Sequence, residues 1–272
     1  MTPPRFSPAK SKIRELNLRA MIDCLGEQKN GWAYFGLPSP SMEDVLLWRD
    51  YLRSVDAVER GIPGREWKGQ HDIARIAILN GIRGFHRHSG DIDDIIISKP
   101  NILWEFDVVN LDYTGGITYK DTTERSKRIE AIRSLIKKQG EAARSFFLCI
   151  TVNDRQEDRG EINKVINQLE RICSRRDTNT AETVRNAVKN QDRRLAIFFY
   201  TAYVVLVAAQ PWFKSRVFKP IFYSGRGEYK MINMAFCLKT VSNRDAPVGE
   251  TFDVVKIPLI NPLFLAETDV SQ

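Results

Sequence analysis

The amino-acid sequence predicts an α/β fold, a mostly parallel sheet with helices on both faces and a C-terminal antiparallel β-hairpin. Three observations carry that expectation. Short apolar runs of strand length alternate with helix-period segments from Lys10 to Val152, which predicts βα repeats and hence parallel strands. Ser145–Val152 (SFFLCITV) is almost continuously apolar, as a strand buried on both faces must be. Val217–Ser224 and Met231–Thr240 flank a Gly225-Arg226-Gly227 turn, the pattern of a hairpin.

Residues 10–25 place Ile13, Leu16, Leu18, Met21, Ile22 and Leu25 at roughly helical spacing ahead of Gly26, so an amphipathic N-terminal helix is expected. A short strand, Trp32–Phe35, breaks at Gly36-Leu37-Pro38-Ser39-Pro40. Ser41 then stands where an N-cap belongs, with Asp44 three residues on, and the segment behind it turns Val45, Leu46, Trp48 and Leu52 inward. Ser54–Val58 is the second strand and ends in Glu59. A helix over Gln70–Asn80, a strand over Phe85–His88 leading to Gly90-Asp91, and a helix over Asp94–Ile97 continue the alternation. Phe106–Leu111 is the fourth strand, and Thr122–Lys138 a helix with Ile129, Ile132, Leu135 and Ile136 on one face. Residues 157–212 hold more helix than one crossover needs, and read as a helical insertion within a single domain spanning 1–272. A last strand is expected near Phe252–Ile257, and the loop Gly61–Gly69 reads as a rim.

With 43% hydrophobic and 28% charged residues, the 272-residue chain has the make-up of a globular α/β domain with one sizeable core. No run reaches the ~20 apolar residues of a membrane span, so no membrane partner is expected. The N-terminal stretch is basic and contains proline without an apolar core behind it, and is not expected to be a secretory signal. Cys24, Cys149, Cys173 and Cys237 lie far apart without a Cys-x-x-Cys pair, and read as reduced thiols of a cytoplasmic protein. His71, His86 and His88 lack ligand spacing, so no metal site is expected. The net charge of +7 comes from 41 basic and 34 acidic residues. Part of it clusters at Arg125, Lys127, Arg128, Arg133, Lys137 and Lys138, and at Arg171, Arg175 and Arg176. Such a face attracts DNA or RNA through counterion release, and serves equally as an ordinary solvated helix face.

In the order of its segments and in several residues, the chain resembles the class I S-adenosylmethionine-dependent methyltransferases, over about residues 30–155 and 215–260. The sheet of that family is Rossmann-like, mostly parallel, with an antiparallel hairpin strand at its end. Phe35-Gly36-Leu37-Pro38-Ser39 stands in place of the family's Gly-rich turn after strand one, with fewer glycines than is usual there. Glu59 matches the acid that binds both ribose hydroxyls, and Asp91 the acid that meets the adenine amine. Asn110-Leu111-Asp112-Tyr113 occupies the tetrad after strand four, where the chemistry happens. The resemblance thus implies S-adenosylmethionine as cofactor, bound by Phe35, Gly36, Pro38, Ser39, Glu59, Asp91 and Asn110, with Asn110, Asp112 and Tyr113 as catalytic residues. In enzymes that methylate exocyclic amines of nucleic acids, the tetrad is Asn/Asp-Pro-Pro-aromatic: its carbonyls accept the amine hydrogens and its ring stacks on the flipped base. Asn110 and Tyr113 match the outer positions; Leu111 and Asp112 replace the prolines, and Asp112 offers a carboxylate to the acceptor.

A plainer physical role stands beside each assignment. Glu59 serves as a surface acid at a strand end, Asp91 as the N-cap of the next helix, and Asn110–Gly116 as a strand-to-loop turn. For the whole chain the expectation is a methyltransferase acting on a nucleic acid base, with the basic helix and the helical insertion on the substrate side and a partner protein for target choice. The alternative is a non-catalytic, methyltransferase-like protein that binds a nucleotide or a partner. A nicotinamide-dependent enzyme is disfavoured because no Gly-x-Gly-x-x-Gly follows the first strand.

Overall fold

The computed structural model of the chain describes residues 8–39, 41–59, 73–98, 102, 104–113, 115–118, 127–154, 159–174, 182, 185–186, 193–224, 230–241 and 263–265. Its helices are α1 (Pro8–Leu25), α2 (Glu43–Trp48), α3 (Ile73–Leu79), α4 (Ile92–Ser98), α5 (Arg128–Glu141), α6 (Arg159–Ser174) and α7 (Arg193–Ala209). Its strands are β1 (Trp32–Gly36), β2 (Leu52–Glu59), β3 (Phe85–Ser89), β4 (Val108–Asp112), β5 (Phe146–Asn153), β6 (Phe213–Val217), β7 (Ile221–Ser224), β8 (Lys230–Thr240) and β9 (Leu263–Leu265). All nine strands form one sheet in the order β3-β2-β1-β4-β5-β8-β7-β9, with β6 also on β8. The first five strands pair in parallel, and β8 runs antiparallel to β5. This is the expected Rossmann-like architecture, with its antiparallel element at the C-terminal end.

From β1 the chain builds outward to β2 and β3, then returns to place β4 and β5 on the other side. The strand order therefore reverses between β1 and β4. Helices cover both faces: Met21 and Cys24 of α1, Val45 and Trp48 of α2, and Ile73 and Ala77 of α3 pack one core with Tyr34, Val108, Phe147 and Cys149. Helices α4 to α7 pack the other, against Phe35, Val109, Leu111, Leu148 and Ile150. Alternate residues of the same strands thus feed opposite cores, and β5, buried at every position, serves both.

Several boundaries differ from the sequence reading, each for a local reason. Strand β4 begins at Val108, because Phe106 pairs with the side chain of Gln139 in place of a strand. Gln139 Oε1 accepts from the Phe106 N–H and its Nε2 donates to the Phe106 carbonyl. The first arm of the hairpin is two strands, β6 and β7, lying end to end along β8. Pro220 stands in the break, where it has no N–H to give a ladder. Ser41 does not cap α2. Met42 takes that position in a left-handed conformation, φ 52°, and Ser39 Oγ accepts the Glu43 N–H at 3.3 Å.

The thiols also require correction. Cys24 of α1 and Cys237 of β8 form a disulfide, so they are not the reduced thiols expected. The two meet because α1 lies across the face of β8 that Cys237 occupies. Cys149 is a buried free thiol. No described helix is long and apolar enough to cross a membrane. The expected strand at 252–257, the hairpin turn at 225–227, the loop 61–69, the start of the 70–80 helix and residues 122–126 of the basic helix lie outside the described residues.

Candidate active site

At the carboxyl ends of β4, β5 and β7 and the amino end of the antiparallel β8, the faces turned toward α1 change from apolar to polar. Asn110 and Asp112 of β4, Thr151 of β5, Asn233 of β8 and Tyr223 of β7 line one cleft, with Ser39, Asp44 and Trp48 at its side. Asp112 is the register partner of Thr151, and Thr151 of Asn233, so three strands present one polar row. Helix α1 roofs it with Lys10, Ile13, Arg14 and Asn17, positions one turn apart on a single helix face. The cleft is open to solvent on one side, and its inner space of about 30 Å³ has room for one or two water-sized groups.

Asp44 is the organising group. It is buried, and its Oδ2 accepts from Tyr34 Oη at 3.1 Å and from Asn110 Nδ2 at 2.8 Å. Desolvation pushes the Asp44 carboxyl up from its ordinary value, against the opposing pull of Arg14 and of both hydrogen bonds. Burial likewise raises the Tyr34 phenol, with Asp44 adding to it. Because a carboxylate only accepts, Asn110 must turn its NH₂ inward, which leaves its carbonyl oxygen as the acceptor toward the cleft. Lys10 pairs with Asp112 at 3.2 Å and Arg14 with Glu43 at 2.5 Å. Asn233 Nδ2 donates to Thr151 Oγ1 at 2.9 Å. Two buried oxygens, Asp44 Oδ1 and Asn233 Oδ1, have no hydrogen-bond partner among the described residues.

The residues expected to hold a cofactor lie at neighbouring strand ends. Gly36 is buried against β4: a Cβ there would lie 2.2 Å from the Asn110 carbonyl oxygen, and the Leu37 N–H donates to that same oxygen at 2.9 Å. The turn through Pro38 and Ser39 is half-buried beside it. Phe35 contributes no side chain to this side; its ring stacks on Phe106 in the opposite core, 5.0 Å between centroids. Glu59 ends β2, its Oε2 fixed by Arg87 at 2.7 Å, and the Gly90 N–H donates to the Glu59 carbonyl at 3.1 Å. Asp91 caps α4, its Oδ1 accepting the Asp93 N–H at 2.9 Å. Two anchored carboxylates on adjacent strand ends suit a ligand bearing hydroxyl and amine donors. The acceptor pair at β2 and β3 therefore fits the hydroxyl and amine donors of a nucleoside, whereas the turn after β1 has its Leu37 amide already engaged.

Tyr113 is not part of this cleft, which corrects its expected stacking role. Strand alternation sends it to the face opposite Asp112, where it is 3% exposed. Its hydroxyl donates to Asp93 Oδ1 at 2.7 Å, and Arg128 lies over its ring at 4.5 Å from the centroid. Helix α5 packs that same opposite face, so the basic helix does not border the cleft either. Several of its cations are tied down locally: Lys127 to Asp94, Lys137 to Glu141, and Lys138 to the carbonyls ending α4. His86 and His88 flank Asp56, and no metal-binding cluster occurs among the described residues. Sequence reasoning missed Lys10, Arg14, Asp44, Thr151, Tyr223 and Asn233; a lone asparagine inside the apolar run Met231–Leu238 was the visible signal for the last.

Desolvation pushes Asp93 up to about 6, although the Tyr113 hydrogen bond opposes it. A raised carboxyl pKa means that the folded state takes up a proton which the unfolded state releases, so this group adds stability as pH falls from about 6 toward 4. Asp93→Asn should therefore gain on the native chain by about 2 kcal/mol more at pH 7.5 than at pH 4.5 in urea unfolding. A constant difference between the two pH values would contradict the shift.

The architecture is a Rossmann-like, mostly parallel sheet whose strand order reverses between β1 and β4. Solved structures similar to the chain include several methyltransferases. One is Trm5b from Pyrococcus abyssi, at 11% identity and a TM-score of 0.48, over 86% of this chain and 50% of that one. A second is the N-methyltransferase NodS from Bradyrhizobium japonicum WM9 in complex with S-adenosyl-L-homocysteine, at 10% and 0.43, over 86% and 89% of the two chains. A third is an rRNA methylase from Streptococcus thermophilus, at 10% and 0.44, over 83% and 96%. The model of the PP_RS20740-like family matches residues 101–249, more than half of the sequence, and the chain belongs to that family. Among curated proteins, none matches the chain.

Proposed function

We propose that this chain is an S-adenosylmethionine-dependent methyltransferase whose acceptor is a nucleic acid base. The observation that carries the reading is the position of the cleft. It lies at the carboxyl end of β4, with Ser39 of the turn after β1 at its side, next to the point where the strand order reverses, and open α/β sheets bind their ligands near that point. Bound there, S-adenosylmethionine supplies an electrophilic methyl group. Glu59 and Asp91 would hold its ribose and adenine, and the turn Gly36–Ser39 would meet its amino-acid end. Asn110 and Asp112 line the cleft, where they position an acceptor group and exclude water from it. The net charge of +7 favours a polyanionic acceptor. The cytoplasmic placement drawn from unpaired cysteines loses that support now that Cys24 and Cys237 are joined.

A second reading, a methyltransferase-like binding protein, is favoured by the Leu37 amide, which bonds the Asn110 carbonyl and does not face the crevice. Calorimetric titration with S-adenosylmethionine and S-adenosylhomocysteine tests the cofactor. Native chain should bind both, and Glu59→Ala should weaken them at least about tenfold through lost hydroxyl acceptance. Absence of binding by the native chain overturns the reading; unchanged binding by the variant removes Glu59 from it. Transfer of labelled methyl to RNA or DNA separates the enzyme from the binding protein.

A further inference from the structure

We propose that a second cleft, at the opposite end of the sheet from the one under α1, binds a phosphate-bearing ligand through Lys29, Arg49 and Arg83. This inference does not rest on the methyl-transfer reading, because the two clefts share no residue.

Its placement follows from the parallel strands. Lys29 and Asn30 precede β1, Arg49 and Asp50 precede β2, and the turn from Asn80 to Arg83 joins α3 to β3. Three loops therefore meet at the amino ends of neighbouring parallel strands, whereas Asn110 and Asp112 stand at the carboxyl end of β4. Strands of five to eight residues, at about 3.3 Å per residue, put roughly 15–25 Å between the two ends. Backbone bonds fix the loops in place. The Asn30 and Gly31 N–H groups donate to the Asp50 and Tyr51 carbonyls, both at 3.0 Å, and the Val55 N–H donates to the Gly84 carbonyl at 3.0 Å. The concavity measures about 350 Å³, within the range of small-molecule sites.

Charge selects the class of ligand. Three cations line the cleft beside one carboxylate, Asp50, which leaves an excess of two positive charges. Arg49 meets Asp50 at 3.6 Å, but both side chains are exposed, and such a pair is weak enough to yield to a ligand. The side chains of Lys29 and Arg83 have no ion-pair or hydrogen-bond partner among the described residues. The end of α3 adds little opposing charge. Its last carbonyls, at Ile76, Ala77 and Ile78, already accept the N–H groups of Asn80, Ile82 and Gly81. A phosphoryl group brings close to two negative charges at neutral pH and three acceptor oxygens on one centre, more than a carboxylate offers. Guanidinium forks take those oxygens in pairs. Only Leu52 and Ile82 are apolar in the lining, so an apolar ligand gains little here.

Calorimetric titration of the full chain with pyrophosphate, malonate and a short single-stranded oligonucleotide tests the site. It also separates a free phosphorylated compound from a nucleic-acid backbone. Pyrophosphate should bind at least about tenfold more tightly than malonate, whose charges sit on carboxylates. Lys29→Ala combined with Arg83→Ala should lose at least about tenfold of that affinity at an unchanged melting temperature, since both side chains are exposed. Lys12→Ala combined with Lys137→Ala removes the same charge elsewhere, and should leave the affinity within about twofold. Oligonucleotide binding that weakens in the cleft variant assigns the phosphate to a nucleic acid. Pyrophosphate binding in the cleft, with oligonucleotide binding absent or unaffected there, assigns it to a free compound. Failure of pyrophosphate to bind, equal affinity for malonate, or equal losses in the two double variants overturns the proposal.

Discussion

A Cys24→Ser chain should be about 2–5 kcal/mol less stable than the native one, with the same loss on adding a dithiol reductant to the native chain. The bond joins residues 213 apart, so it closes nearly the whole fold into one loop and removes much freedom from the unfolded chain. It also anchors the roof of the cleft. Helix α1 is held by a narrow apolar row, chiefly Ile13, Met21 and Cys24, and its cleft-facing side chains are largely polar. Without the bond, Lys10 and Arg14 should lose part of their fixed relation to Asp112 and Glu43, so ligand affinity should fall together with stability. Urea unfolding with and without reductant, followed by tryptophan emission, checks the first effect. Equal midpoints in all samples would show that packing alone retains the helix.

Replacing Asn110 by alanine should lower methyl transfer by about 10²–10³-fold, the usual consequence of removing one oriented polar group from a closed site. Affinity for S-adenosylhomocysteine should stay within about threefold, since a change in turnover with unchanged binding marks an interaction made with the acceptor. The loss has two parts. The acceptor oxygen disappears from the cleft, and Asp44 loses the amide that holds its Oδ2. Asn110→Asp gives a further comparison, because it sets two carboxylates against each other in a buried space. That variant should be inactive and less stable at neutral pH, and should regain stability as pH falls. Full turnover by the alanine variant would move the chemistry away from β4.

Much of the frame was legible because it is local. The apolar run of β5, the spacing of α5 and the polar residues ending β4 can each be read within a dozen residues. Glu59 and Asp91 stand at strand ends for the same reason. The cleft was less legible because distant segments build it. Asn233 reaches Thr151 only through the antiparallel register of β5 and β8, and Lys10 reaches Asp112 across 102 positions. Asp44 reads as a first-turn helix acid, and its burial depends on the left-handed turn at Met42 that starts the helix late. Tyr113 is a different case. Period-two alternation already separates Asn110 and Asp112 from Leu111 and Tyr113, so the tetrad cannot serve one site as a block while it remains a strand.

The polar row has a bearing on how this chain can change over generations. On one face, a single two-residue step leads from Val108 to Asn110, from Cys149 to Thr151 and from Ala235 to Asn233. The inner member of each pair is core and the outer member lines the cleft. Point substitutions at the outer members can thus retune selectivity while the foundation beneath them stays intact. Loss or gain of one residue within β8 does the opposite: it turns Asn233 into the far core and its apolar neighbours toward the ligand. Lineages of this chain are expected to explore new ligands by exchange at those three tips, and to keep the lengths of these strands fixed.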